Sequence, residues 1–402
     1  MAGDNGAERQ LLVSYDFPPM GGGIARLTGE LAKRYPAGSL LISTGRVPES
    51  AETDTQLPNR VDRVGINSTR LRTIQGLVLW SHRVWRLGRS FDPGFVWCGN
   101  LKPAAFPALW LHRRKGIPYG IMLYGSELLL LQQRIRTSRA KRAAARPILR
   151  EASVLTVCSE WTRRLCLDVL DELGWKPGDI DVRSIVLGTD PLRFRPGLDT
   201  APARARYGLQ NLRWMLTVAR LVGHKGIDTG LRLLAALRET HSDLGYLIVG
   251  SGPMQSRLEA LAHELGVADR ARFLTGVPDT DLPLLYNCAE IYLGLSRPEG
   301  LLIEGFGISL SEASGSGVPV IAGRLGGMPD AVRDGVTGIL VDSTDIREVV
   351  AAVRSLVDNP ELGRRLGQAG RKAVEEYFNW DRVAADVRRI GDELGTPPSQ
   401  PR

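Results

Sequence analysis

The chain has 402 residues, 43% of them apolar and 24% charged; this exceeds what one hydrophobic core usually organises, so two globular domains are expected, although a single large barrel also fits the length. The net charge of +8 is unevenly placed, with 29 Lys/Arg against 18 Asp/Glu in residues 1–195 and 23 against 26 in the rest, so the basic surface belongs to the first half. Cys98, Cys158, Cys166 and Cys288 are too sparse for a disulfide framework and suit a reducing compartment as buried thiols.

The opening segment "MAGDNGAERQ" has no basic stretch leading into an apolar run, and nowhere do 18 apolar residues stand together. The expected location is therefore the cytoplasm, with no membrane span. Short apolar, β-rich runs then recur at helix-length intervals: "LLVSY" (11–15), "LLIST" (40–44), "FVWC" (95–98), "YGIMLY" (119–124), "SVLTVC" (153–158) and "RSIVL" (183–187). In "GGIARLTGELAKRY", Ile24, Leu27 and Leu31 share a helical face, so a helix should begin just after the glycines at 21–23. The segment "GTDPLRFRPGLDTAPARARYG" (188–208), rich in Pro, Gly and charge, reads as a connection. The pattern restarts with "WMLTVA" (214–219), "GYLIVG" (245–250), "ARFLTG" (271–276), "IYLGL" (291–295), "VPVIAG" (318–323) and "GILVD" (338–342). Near-continuous apolar strands separated by helices predict parallel sheets, hence an α/β fold with two domains in series. Val383, Val387 and Ile390 form one stripe of a last helix that must dock somewhere.

The glycine-rich loops do not make a dinucleotide fingerprint. "GGGIAR" and "GSGPMQ" lack the final glycine of G-x-G-x-x-G, "GSGVPV" precedes a strand, and no G-x-x-x-x-G-K-[ST] occurs. Several loops do follow strands, at the edge where open α/β sheets bind ligands. "RLVGHKG" offers Arg220 and Lys225, a guanidinium and an ammonium able to meet one polyanion or simply to face solvent. "RLGGMPD" (324–330) places Gly326 and Gly327 before a helix whose N-terminus would favour negative charge; an ordinary turn fits it equally.

In "EGFGISLSE", Glu304 sits in a loop and Glu312 in the helix after it. A carboxylate accepts two hydrogen bonds from a vicinal diol, which suits ribose or hexose. His224, His241 and His263 are not at ligand spacing, and an aspartate of "DTD" (279–281) is expected to cap a helix, so a metal site is not expected.

Together these stretches resemble the retaining, nucleotide-sugar-dependent glycosyltransferases of family four (GT4), which have the GT-B fold of two Rossmann-like domains facing across a cleft. The resemblance rests on "EGFGISLSE", "RLVGHKG", "IVGSGP", "FLTGV", "GGMPD", "VLGTDPLRFRP" and "PPMGGGIAR". It implies an acceptor-binding domain at 1–193, a nucleotide-sugar-binding domain at 194–375, and a helix at 376–402 that crosses back to the first domain before a polar tail. It further implies that Arg220 and Lys225 bind the donor diphosphate, Glu312 the ribose and Glu304 the transferred sugar. The backbone of Gly305, Phe306, Gly307 and Ile308 would lie beside them, and Gly22, Gly23, Gly250 and Val277 would complete the donor site. Arg220, Lys225 and Glu304 would be the catalytic groups, with no metal and no cofactor. Where many relatives carry a histidine after the fourth strand, this chain has Tyr124, with Glu127 following; both are assigned to the acceptor side.

Between 134 and 150 the chain carries seven Lys/Arg and no acid, and Arg139, Arg142, Arg146 and Arg150 share a helical face that Pro147 should interrupt. This run fits a solvated face, an anionic acceptor, or contact with anionic lipid at the inner face of the membrane. The expected acceptor is a glycan, a glycolipid or a small phosphorylated molecule. Nucleic acid is not expected, since no aromatics interleave the cations. A sugar-nucleotide epimerase and a catalytically silent sugar-nucleotide-binding protein are the alternatives.

Overall fold

A computed structural model of the protein describes residues 9–48, 50–65 and 76–395. It divides into two compact units: one draws on the chain up to Ile185 and again from Trp380, and the other is Val186–Asn379. The chain crosses between them after Ile185 and again after Asn379. Among the described residues no helix is long and apolar enough to cross a membrane.

The first unit holds a parallel sheet built from β1 (Gln10–Val13), β2 (Leu40–Gly45), β3 (Val61–Val64), β4 (Phe95–Cys98), β5 (Tyr119–Leu123), β6 (Val154–Val157) and β7 (Val182–Ser184). Their order is β3-β2-β1-β4-β5-β6-β7, with Leu11 of β1 aligned on Leu41 of one neighbour and Val96 of the other. The central strands are fully buried, which is why they read as unbroken apolar runs. The edge strand β3, "VDRV", carries Asp62 and Arg63 and has no such signature; charge on an edge blunts pairing with other chains. The helix Gly23–Arg34 starts at the expected glycines.

The helix Trp380–Leu394 completes this unit, packing on the helix Gly23–Arg34 and on β4 with Trp380, Val383, Val387 and Ile390 buried. Gln10, fully buried in β1, ties it down: its amide donates to Asp392 at 2.7 Å and to the Arg388 carbonyl at 3.0 Å, while its oxygen accepts from Tyr35 and Trp97. Gly391 lets the helix approach, since a Cβ there would lie 2.5 Å from the Gln10 side chain.

The second unit holds β8 (Arg213–Val218), β9 (Leu244–Val249), β10 (Ala271–Leu274), β11 (Ala289–Gly294), β12 (Val320–Gly323) and β13 (Gly338–Val341), all parallel, in the order β10-β9-β8-β11-β12-β13. The segment read as a connection is a packed part of this unit. Phe194 is buried against Tyr286, ring centroids 5.5 Å apart, and Arg371 donates to the carbonyls of Pro191, Phe194 and Gly315. The four cysteines are buried and form no disulfide.

Candidate active site

Strand order reverses at β8: β9 lies on one side and β11 on the other. The loops leaving the carboxyl ends of two such strands diverge and open the crevice where doubly wound sheets hold ligands. Arg220 and Lys225 follow β8, and Glu304 follows β11. The β8 loop is held by Leu221 donating to the Ser251 carbonyl at 2.9 Å and by Arg297 donating to the His224 carbonyl at 2.8 Å. It turns at Gly226 (φ 68°), where a Cβ would lie 1.9 Å from the Leu295 carbonyl oxygen.

These loops bring Lys225 against Glu304, the ammonium donating to Oε2 of the carboxylate. Both side chains are about four-fifths buried. Burial is the largest influence on Glu304 and pushes its pKa up, but Lys225, with His224 and Arg220, outweighs it and holds the carboxyl below its ordinary range. His224, buried beside them, has its pKa lowered by burial first and then by Lys225, and its Nδ1 has no hydrogen-bond partner. Arg220 is exposed. Thr217, Tyr292, Ser309 and Met328 enclose a pocket around Lys225 and Glu304. Glu304 is thus an ionised acceptor set among cations, an arrangement suited to a substrate carrying both hydroxyls and a polyanion.

Phe306 is buried, and Gly307 (φ 94°) caps the helix Ile308–Gly315, on which Glu312 is buried. The Tyr286 hydroxyl donates to Glu312 Oε2 at 2.8 Å. Sequence spacing gave no hint of Tyr286, which lies on the helix Leu282–Cys288 before β11. The Gly326–Gly327 pair packs on the Glu304 backbone: Gly327 donates to the Glu304 carbonyl at 2.9 Å, and a Cβ on Gly326 would lie 2.4 Å from that oxygen. The helix after it, Met328–Ala331, is a single turn, too short for the expected anion-binding terminus. Gly250 (φ 142°) lies against the Ala219 carbonyl beside Arg220, and Val277 is half-buried just past β10. Asp281 does not cap with its side chain; it accepts from Tyr207 at 2.6 Å and Arg206 at 2.7 Å. Among the described residues no three His, Cys, Asp or Glu side chains converge.

In the first unit the corresponding reversal lies at β1, between β2 and β4. Gly22 (φ 119°) and Gly23 are exposed at the start of the helix Gly23–Arg34, and the space a Cβ would fill at Gly22 is open. Asn100, after β4, donates to the Asp16 carboxylate after β1 at 2.9 Å, and its own Oδ1 is buried without a partner. Neither residue stood out in the sequence. Tyr124, at the end of β5, donates to the Gly99 carbonyl at 3.0 Å; burial, then Glu127, pushes its phenol well above the ordinary value. Glu127 accepts from the Tyr124 N–H at 2.5 Å and is raised chiefly by burial.

The basic run is two helices, Ser126–Thr137 and Arg139–Arg150, broken at Ser138; Pro147 lies inside the second without ending it. Much of its charge is engaged internally. Arg142 and Arg146 donate to the carbonyls of Glu172 and Leu173, Arg150 donates to the Asp179 carbonyl, and Arg136 pairs with Glu172. Arg142 and Arg146 thereby face the C-terminal end of the helix Glu160–Glu172, where positive charge is favoured.

Residues 202–373 match the family described as glycosyl transferases group 1, and residues 22–182 match a glycosyl transferase 4-like domain. The chain is 32% identical over 377 residues to the GDP-mannose-dependent alpha-(1-6)-phosphatidylinositol monomannoside mannosyltransferase of Mycolicibacterium smegmatis, covering 92% of this chain and 94% of that one. It is 28% identical over 393 residues to the GDP-mannose-dependent monoacylated alpha-(1-6)-phosphatidylinositol monomannoside mannosyltransferase of Corynebacterium glutamicum, covering 96% and 98%. Among solved structures, sucrose-phosphate synthase from Thermosynechococcus elongatus superposes with a TM-score of 0.77 at 21% identity, covering 96% of this chain and 99% of that one. Both domains are matched and the likeness to the mycobacterial relative runs nearly end to end: the chain belongs to the family-four (GT4) glycosyltransferases of the GT-B fold, built from two Rossmann-like domains.

Proposed function

We propose that this glycosyltransferase moves a mannosyl group from GDP-mannose to a hydroxyl of a phosphatidylinositol mannoside, with retention at the anomeric carbon and without a metal ion. The donor and acceptor classes are those in the names of the mycobacterial and corynebacterial relatives. The observation that carries the reading is the Lys225–Glu304 pair at the β8/β11 reversal, with Arg220 beside it.

Breaking the anomeric bond leaves positive charge on the sugar and negative charge on the departing diphosphate. Arg220 and Lys225 are fixed cations that meet the second charge, and the polarity of such a site is set before reaction. Glu304, kept ionised by the same cations, accepts hydrogen bonds from sugar hydroxyls, and Glu312 accepts those of the ribose. Gly250 admits the donor close to backbone, and Val277 lies along the nucleoside. Tyr124 and Glu127 stand on the acceptor side, where burial keeps the Tyr124 phenol neutral and so unsuited to act as a base. The acceptor proton passes to the leaving diphosphate on the face it departs from, which accounts for retention. We place the protein in the cytoplasm, working on a lipid acceptor at the inner face of the membrane.

The test is incubation of the purified protein with GDP-mannose and phosphatidylinositol monomannoside, with and without a chelator. The expected product is a dimannoside whose new linkage is cleaved by α-mannosidase, in equal yield under both conditions. A β-linked product, dependence on a divalent ion, or GDP-mannose converted with the acceptor left unchanged would each contradict the corresponding part of the proposal.

A further inference from the structure

The first unit carries a second basic surface, on the helices Ser81–Ser90 and Ala105–Lys115, which pack on each other. Residues 76–91 and 101–118 contain no Asp or Glu. Just before the first helix, Val78 and Leu79 are 59% and 54% exposed. Trp85 and Trp110 are only partly buried, 6.1 Å apart between ring centroids, and each has a guanidinium over its face: Arg89 over Trp85 at 5.1 Å and Arg114 over Trp110 at 5.8 Å. Among the described residues, Arg86, Arg89 and Arg114 have no carboxylate partner; Arg83 and Arg113 are already paired with Asp62 and Glu151.

We infer that this surface, and not the basic run at 134–150, docks the protein on an anionic bilayer. Exposed aliphatic side chains cost free energy in water, and a contiguous patch of them beside charged residues marks a contact surface. The chemistry of this patch fits a headgroup boundary. Tryptophan concentrates at the membrane–water interface, aliphatic side chains enter the acyl region, and unpaired arginines meet lipid phosphates bidentately. The 134–150 run lacks the apolar component and spends much of its charge on backbone carbonyls. A second protein surface would be expected to offer acids to these cations, but a second copy of this chain would present the same basic face and repel it.

Sedimentation with vesicles of phosphatidylcholine alone, or mixed with phosphatidylinositol, tests the inference. The parent should pellet with the mixed vesicles and be released by salt. Replacing Arg86, Arg89 and Arg114 by serine should lower partitioning roughly a hundredfold, at about fivefold per cation, and V78S/L79S should lower it independently. Replacing Arg134, Arg139 and Lys141 by serine should leave it unchanged. In every variant a thermal shift with GDP-mannose should match the parent, which separates this surface from the donor site and from folding. Undiminished binding by the triple variant, no binding by the parent, or a parent dimer that this variant dissolves would each overturn the inference.

Discussion

The Lys225 ammonium and the Glu304 carboxylate form an ion pair across two loops that leave different strands, β8 and β11. Lys225→Ala is expected to lower turnover ~10² to 10³-fold, the cost of losing one preorganised charge stabiliser, while circular dichroism stays that of the parent. The same pair sets a pH dependence. Because the folded pKa of Glu304 lies below its unfolded value, its stabilising contribution is present above the unfolded pKa and is lost as pH falls through the folded one. In Lys225→Ala the largest influence that lowers the Glu304 pKa is gone, so this contribution shrinks. Thermal melts should therefore show the parent losing stability below about pH 5, with the variant losing less.

Tyr286→Phe removes the hydroxyl that donates to buried Glu312. Losing a partner of a buried acceptor costs about 1–3 kcal/mol, and the denaturant midpoint should fall accordingly with the m-value unchanged. Donor affinity should weaken as well, since Glu312 loses one of the groups that orient it. A variant with the parent's donor affinity would remove Tyr286 from any role beyond packing.

Gly226→Ala should abolish activity through the backbone alone. The left-handed conformation costs a residue with a Cβ about 1–2 kcal/mol, and the clash with the Leu295 carbonyl must be relieved by moving the loop that carries Lys225. The expected signature is a large fall in kcat with little change in far-ultraviolet circular dichroism.

Tyr124→Phe should raise KM for the proposed lipid acceptor and leave the donor thermal shift untouched. Because the phenol titrates well above its ordinary value, the pH–rate profiles of parent and variant should share one shape below pH 10, checked by initial rates across that range.

Gln10→Leu should destabilise the first unit. It orphans the buried Tyr35 and Trp97 donors at about 1–3 kcal/mol each, and it removes the anchor of the C-terminal helix. Hydrogen exchange in Trp380–Leu394 should speed up before that in β4.

Sequence patterning exposed this fold where burial is two-sided. The strands around β1 and β8 are apolar along their length because both faces are covered, whereas β3, on an edge and carrying Asp62 and Arg63, left no pattern to find. The Lys225–Glu304 pair was legible because each of the two sits in a loop with its own glycines. Tyr286, Asn100, Asp16 and Gln10 were not, because a buried polar side chain is specified by a partner 26 to 382 residues away and no local periodicity encodes such a partner. The 134–150 run shows the converse: its charge was plain in the sequence, yet the carbonyls that consume much of it lie on another helix.

Because the helix Trp380–Leu394 belongs to the first unit, the second is an insertion between two parts of the other. Its own ends meet, Thr189 bridging Asn379. On the ribosome the inserted unit has all its strands before the helix Trp380–Leu394 emerges, so it can mature first. The first unit waits for a helix synthesised after the whole of the second, and a chain interrupted between the two would carry a finished second unit beside an uncovered, aggregation-prone one.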